Sequence, residues 1–349
     1  MTKPQTKTNS GNFFEDFSIG QTIVHATPRT ISSGDQALYT ALYGSRFALQ
    51  SSTNFARRIG YPQSPVDDML VFHIVFGKTV ADISLNAVAN LGYADCRFLI
   101  PVYPGDTLKT VSEIIGLKQN SNGKTGVVYV RSTGTNQKGE TVLEYIRWVM
   151  VRKRNIDTPA PETTIPNLPN SVDPKFLASA CPSVDQIDFD TSVSGSPFVW
   201  GDYEVGEKID HVDGMTVEEA EHMMATRLYQ NTAKVHFNQH TEGQGRFGRR
   251  LIYGGHVISL ARALSFNGLS NACHISAING GRHIAPLFAG DTVYAWSQVT
   301  DKAEIDGRSD IGALKITTIA TKNQSCSQFP SNKTENAILE LDYWVILPK

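Results

Sequence analysis

The sequence predicts an α+β fold in which two tandem copies of one unit each wrap an antiparallel sheet around a central helix. Three observations predict it: the chain repeats itself at an offset of 186 residues, each copy closes on long strands of alternating polarity, and each holds an apolar, helix-like run in its middle. With 349 residues, 40% of them hydrophobic, the chain is long enough to bury such a core.

The first copy opens on FEDFSIGQTIVHATPRTISSGDQALYTALYG and the second on WGDYEVGEKIDHVDGMTVEEAEHMMATRLYQ. Both carry an aromatic-x-aliphatic-Gly turn (Phe17 to Gly20, Tyr203 to Gly206), a short strand, an acidic helix start and the dipeptide Leu-Tyr (Leu42-Tyr43, Leu228-Tyr229). After an irregular segment, PVDDMLVFHIVFGKTVADI sets an apolar run behind a proline and two aspartates, which reads as a helix start. In the second copy YGGHVISLARALSFNG does the same behind Gly254 and Gly255, with Gly268 as its stop. Further on, YPGDTL (Tyr103 to Leu108) matches FAGDTV (Phe288 to Val293), with Arg97 and Arg282 equally far ahead of them. The closing strands alternate, Val127, Tyr129 and Arg131 facing one way, Val128 and Val130 the other. Between the copies NIDTPAPETTIPNLPNSVDPK is rich in Pro, Thr and Asn and reads as a linker. The expected organisation is a first unit at 12–155, a linker at 156–195 and a second unit at 196–349, with the two sheets able to pair.

Composition excludes several functions. A formal net charge of −2 gives no global electrostatic reason for a nucleic-acid or anionic-membrane partner. Cys96, Cys181, Cys273 and Cys326 are widely separated and form no C-x-x-C pair, which argues against a zinc knot or disulfide framework and for a reducing compartment. The polar start MTKPQTKTNSGN reads as a disordered lead rather than a signal peptide, and no apolar run is long enough to cross a bilayer. A cytoplasmic location is expected. Asn332-Lys333-Thr334 fits the glycosylation pattern, but needs a secretory route that nothing else supports.

The chemistry-bearing segment is TRLYQNTAKVHFNQH, Thr226 to His240. Aligned by the repeat, Asn231 stands against Ser45 and His236 against Gln50. This asymmetry favours one chemically competent copy, although a buried histidine with a satisfied hydrogen bond would leave the same trace. Histidine suits proton transfer near neutral pH, whereas an asparagine can fix an imidazole tautomer or orient water but cannot act as a base. His236 and His240, with Glu242 and His256 nearby, have helical metal-ligand spacing; the segment is a weak helix and lacks H-E-x-x-H, so no metal is expected. GQGRFG (Gly243 to Gly248) matches a dinucleotide-binding pattern by letter only, because no strand precedes it. Gly254 and Gly255 open a helix whose first N–H groups could stabilise an oxyanion; a plain turn is the alternative reading.

The segments NFFEDFSIGQTIVHATPRTI, LVFHIVFGKTVADISLNAVANLGYA, LEYIRWVMVRKR, ATRLYQNTAKVHFNQH, YGGHVISLARALSFNGL and FAGDTVYAWS carry a resemblance that spans nearly the whole chain. The chain resembles the MaoC-like hot-dog hydratases, which act on acyl thioesters of coenzyme A. The resemblance implies a double hot-dog fold with one active and one degenerate half. It also implies reversible addition of water to an enoyl-CoA thioester, with the thioester as substrate, no cofactor, and nothing against a homo-oligomer. The family motif has an aspartate, an asparagine two residues later, a proline, and a histidine five residues after the aspartate. Here these positions hold Asn231, Ala233, Lys234 and His236. Either Asn231 with His236 suffices, or a carboxylate elsewhere, such as Glu242 or Asp95, completes the pair. The glycine that donates an N–H to the thioester carbonyl falls at Gly254 or Gly255.

The resemblance also implies a branched substrate with a free carboxylate besides the thioester. That anion calls for a cation, with Arg46, Arg249, Arg250 and Arg282 as candidates. Arg282, matched by Arg97, reads equally well as a structural arginine at a strand. A hydratase of another branched or dicarboxylic enoyl thioester, a thioesterase on the same fold and a non-catalytic thioester-binding module are the alternatives.

Overall fold

The structure, a computed structural model, describes residues 7–184 and 189–349; the start of the expected disordered lead and part of the expected linker lie outside them. The first copy contains β1 (Thr22–Thr30), α1 (Ser33–Tyr43), α2 (Asp68–Thr79), β2 (Ala87–Phe98), β3 (Thr107–Gln119), β4 (Thr125–Thr135) and β5 (Thr141–Arg152). The second repeats the order with β6 (Lys208–Thr216), α3 (Glu219–Leu228), α4 (Gly254–Leu264), β7 (His274–His283), β8 (Thr292–Ile305), β9 (Arg308–Lys322) and β10 (Ala337–Pro348).

Local chemistry sets the helix ends. Ser32 and Asp35 form a reciprocal capping box at the start of α1, and Gly44, in the left-handed conformation, ends it. Asp67 accepts the N–H of Met69 at the start of α2. All twelve residues of α2 are buried, as expected of an apolar helix enclosed by protein on every side.

The strands form one ten-stranded sheet in the order β1-β3-β4-β5-β2-β7-β10-β9-β8-β6. The copies join where β2 pairs antiparallel with β7, Tyr93 facing Gly281 and Arg97 facing Ala277. Each copy also anchors its first strand with a histidine. His25 Nε2 bonds Ser112 Oγ at 2.8 Å, and His211 Nε2 bonds Ser297 Oγ at the same distance. Inside the sheet, one apolar cluster spans both copies and holds α2 and α4 together.

That cluster encloses a polar seam. The hydroxyls of Tyr43 and Tyr229, equivalent residues 186 apart, lie 2.6 Å from each other, so the pseudo-twofold axis passes close to this bond. Tyr43 OH also bonds His256 Nδ1 at 2.7 Å, while Tyr39 OH donates to Ser259 Oγ at 2.9 Å and His73 Nε2 bonds that same oxygen at 2.8 Å. Gly77 permits a close approach here, because a Cβ on it would sit 1.9 Å from the carbonyl oxygen of Tyr229.

The segment after β5 does not hang free. Thr164 bridges to Leu117, and Val172, Leu177, Cys181 and Val184 pack with Leu49, Phe55 and Ile59 of the first copy and with Trp344 of the second. All four cysteines are free thiols.

Replacing Tyr43 by Phe leaves the Tyr229 hydroxyl and His256 Nδ1 buried without this partner. We expect a loss of about 1–3 kcal/mol in urea unfolding, with the sheet retained by circular dichroism. An unchanged midpoint would show that the seam is not a stabilising element.

Candidate functional site

The site is built where the start of α4 meets the loop after α3. His236 lies in a single turn, Lys234–Phe237, that is pinned to the strand-like approach to α4: Leu251 N–H donates to the carbonyl of Val235 at 3.0 Å. His236 Nδ1 lies 2.8 Å from the carbonyl oxygen of Leu251. A carbonyl can only accept, so Nδ1 carries the proton and Nε2 keeps its lone pair. Burial pushes the His236 pKa down to about 4, partly opposed by the bond to Leu251, so the imidazole is neutral at neutral pH.

Asn231 is buried, and its carbonyl oxygen accepts the N–H of Ala233 at 3.2 Å. It shapes the turn that carries His236; the imidazole tautomer is set by Leu251 instead. Two further rings complete this wall. His222 Nε2 accepts the N–H of Tyr253 at 2.9 Å, and the His222 and Tyr253 rings stand 6.1 and 5.5 Å from the His236 ring.

Gly254 and Gly255 form the first turn of α4, and their N–H groups have no acceptor among the described residues. Both positions must lack a side chain. A Cβ at 254 would lie 2.4 Å from the His283 ring, and one at 255 would lie 2.5 Å from the Tyr253 ring. His283, at the end of β7, stands against the helix start with Nε2 3.4 Å from the hydroxyl of Tyr93, contributed by β2 of the other copy. Its pKa falls to about 4 through burial, with a further contribution from His236.

The first copy has the same frame with its openings filled. Gln50, the counterpart of His236, donates to the carbonyl of Cys273 at 3.1 Å. At the start of α2 stands a carboxylate, Asp68, which accepts the N–H of Ile275 at 2.9 Å and faces His274 Nδ1 at 3.1 Å. His274 Nε2 in turn bonds Tyr61 OH at 2.8 Å. One helix start therefore offers bare N–H groups to an incoming anion, and the other carries its own anion.

The other sequence-derived candidates scatter. Arg46 is exposed and lies over Phe266, beside the degenerate half. Arg249 is exposed over Phe288, 4.0 Å from its ring centre. Arg250 pairs with Glu219, near enough to His222 to help depress its pKa. Arg282 is exposed and paired with Glu340 at 2.6 Å, as its counterpart Arg97 is with Glu144 at 2.5 Å, which is the structural reading of this repeat. Asp95 also pairs with Arg97, and Glu242 makes no hydrogen bond to His236. His240 is exposed, Gly243 to Gly248 form exposed turns, and among the described residues no three His, Cys, Asp or Glu side chains are grouped to hold a metal.

Sequence reasoning missed His222, Tyr253, Tyr93 and His283. The repeat held a signal for one pair, since His283 follows Arg282 where Phe98 follows Arg97, the same kind of polar-for-inert exchange that marked His236.

The family model described as mesaconyl-CoA hydratase matches residues 2–338. The chain is 64% identical to a β-methylmalyl-CoA dehydratase of Chloroflexus aurantiacus, covering 98% of this chain and 99% of that one. It is 57% identical to a mesaconyl-CoA hydratase of Cereibacter sphaeroides, covering 98% and 100%. The crystal structure of a MaoC domain protein dehydratase from Chloroflexus aurantiacus superposes with a TM-score of 0.96 at 63% identity over 99% of both chains. A double hot-dog protein of Mycobacterium tuberculosis shares the fold at 24% identity, with a TM-score of 0.76 over 97% of this chain and 99% of that one.

Six histidines are held neutral by burial: His222 falls to about 2, His73 and His256 to about 3, and His211, His236 and His283 to about 4. In the unfolded chain each titrates near 6.5, so below that pH the unfolded state binds more protons and stability is lost toward about pH 4. Asp67, pushed up to about 6 by burial and Asp68, opposes this with one proton. Urea midpoints are expected to be flat above about pH 7 and to fall steeply from pH 6.5 to 5. A flat profile across that interval would show that these histidines are not held neutral.

Proposed function

Because the chain belongs to the mesaconyl-CoA hydratase family, enzymes of the hydro-lyase class, we propose that it catalyses the reversible addition of water to mesaconyl-CoA, giving β-methylmalyl-CoA. The observation that carries the site assignment is the pairing of a neutral His236, its Nε2 lone pair free, with the bare N–H groups of Gly254 and Gly255 at the start of α4.

The thioester carbonyl accepts hydrogen bonds from one or both glycine N–H groups, reinforced by the positive end of the α4 dipole. His236 Nε2 takes a proton from water as the water oxygen bonds to the β carbon, and the electron pair of the double bond moves toward the thioester oxygen. Collapse of that enolate takes a proton at the α carbon, so the elements of one water are added and His236 returns to its neutral state. Dehydration runs the same steps backwards. No redox change occurs, and coenzyme A is the handle of the substrate. Asn231 cannot accept the proton at the position where the family motif has aspartate, so proton transfer rests on His236.

Units at 12–155 and 196–349, joined by a segment at 156–195, divide the work. The second supplies the base and the helix start, and the first supplies the opposite wall through Tyr93. No helix among the described residues is long and apolar enough to cross a membrane. The four free thiols fit a reducing compartment such as the cytoplasm.

Purified protein added to mesaconyl-CoA should bleach the enoyl-thioester absorbance and give a product heavier by one water. Release of free coenzyme A instead would make it a thioesterase, and no change at high enzyme concentration would remove the assignment. His236→Ala should lower kcat by about a thousandfold without lowering the free energy of unfolding in urea by more than about 1 kcal/mol. Turnover near the wild-type rate would exclude His236 as the base. In the wild type, the acid limb of kcat/KM should fall well below pH 6.5, toward the His236 pKa of about 4, and a limb at 6.5 or higher would identify a different base.

A further inference from the structure

The substrate of this reaction carries a second anion, a free carboxylate on the carbon that accepts water, and a carboxylate taken out of bulk solvent needs donors aimed at it. Three carbon–carbon bonds, the middle one the double bond and none longer than about 1.5 Å, separate the carboxylate carbon from the thioester carbon. Its donors must therefore stand close to the start of α4. The four arginines suggested by sequence do not offer this: Arg282 is exposed and neutralised by Glu340, Arg250 by Glu219, Arg249 lies on Phe288, and Arg46 lies on Phe266 at the other half. The fully buried Arg147 is engaged with Thr79, Ser84 and the face of Phe76.

We propose that His283 and the hydroxyl of Tyr93 form the subsite that receives this carboxylate and so select a dicarboxylic acyl group. The proposal rests on the hydratase reading above. His283 is in the right place, because its ring occupies the space that a side chain on Gly254 would need. It has capacity to spare: among the described residues its one hydrogen bond is the 3.4 Å contact from Nε2 to Tyr93 OH, leaving the other ring nitrogen without a protein partner. It is also only half-buried, unlike the sealed histidines of the seam.

The 3.4 Å separation between two groups that can both donate is longer than a good hydrogen bond and suits a pair awaiting a common acceptor. A carboxylate with two oxygens can accept from both. The repeat points the same way. At the equivalent positions about the pseudo-twofold axis stand Phe98 of the first copy and Ile278 of the second, which offer no donor, and there the helix start has its own carboxyl group, Asp68. A donor pair split between the copies also explains why a half without chemistry keeps an aromatic hydroxyl at the shared edge of β2 and β7.

The test compares kcat/KM for mesaconyl-CoA with that for 2-methylbut-2-enoyl-CoA, in which a methyl group replaces the carboxylate. Where turnover of the neutral thioester is too slow to read, its inhibition constant replaces kcat/KM. The ratio of the two should fall about 100-fold in His283→Ala and about tenfold in Tyr93→Phe, the loss residing mainly in KM. Equal losses for both thioesters would make His283 part of the general scaffold and overturn the proposal, as would an unchanged ratio. Tyr93→Phe keeps the ring and its packing, so its ratio remains readable if His283→Ala folds poorly. Wild-type protein that fails to hydrate mesaconyl-CoA would refute the hydratase reading before any variant is made.

Discussion

The hydroxyl pair Tyr43–Tyr229 is the constraint on which the arrangement depends. It lies on the pseudo-twofold axis inside an apolar cluster, where an unmade hydrogen bond would cost the full desolvation of its polar groups. From it a bond runs through His256 to α4, and beside it Ser259 of α4 bonds His73 of α2. An apolar interface of the same area would permit the two central helices to slide; directional bonds hold them in one register. That register places the beginning of α4 beside the edge of the first copy, where Tyr93 and His283 meet.

A duplicated unit with one shared seam could have kept two equal sites. The differences that break the equality are few and each has a plain physical effect. Gly254 has no side chain where Asp68 has a carboxyl group, so one helix start keeps its first N–H groups clear and the other has a carboxyl group bonded beside it. His236 has a free nitrogen lone pair where Gln50 spends its amide on Cys273. The segment between the copies packs against both, with Val172, Leu177 and Cys181 buried among Leu49, Phe55 and Ile59 of the first and Ile311, Ala313 and Trp344 of the second.

Much of the fold was legible before any coordinates. The repeat, the alternation of Val128 and Val130 against Tyr129 and Arg131, and the Pro or Gly ahead of each apolar run reported the two sheets and two central helices. The asymmetry of His236 against Gln50 pointed to the half with a free imidazole nitrogen. The arginines were harder to read, because a guanidinium looks equally available in sequence whether it faces a ligand or, like Arg282, already faces Glu340.

By itself, the sequence determined the local matters: periodicity, capping and the duplication, all of which act between residues near in the chain or at an offset of 185 or 186 residues. Tertiary structure alone decided which atom of His236 is protonated, through the carbonyl of Leu251, and which rings border Gly254. Tyr93 and His283 are 190 residues apart, and no spacing rule relates them. They meet because β2 pairs with β7, and a shift of β2 by one residue would turn Tyr93 to the face opposite His283.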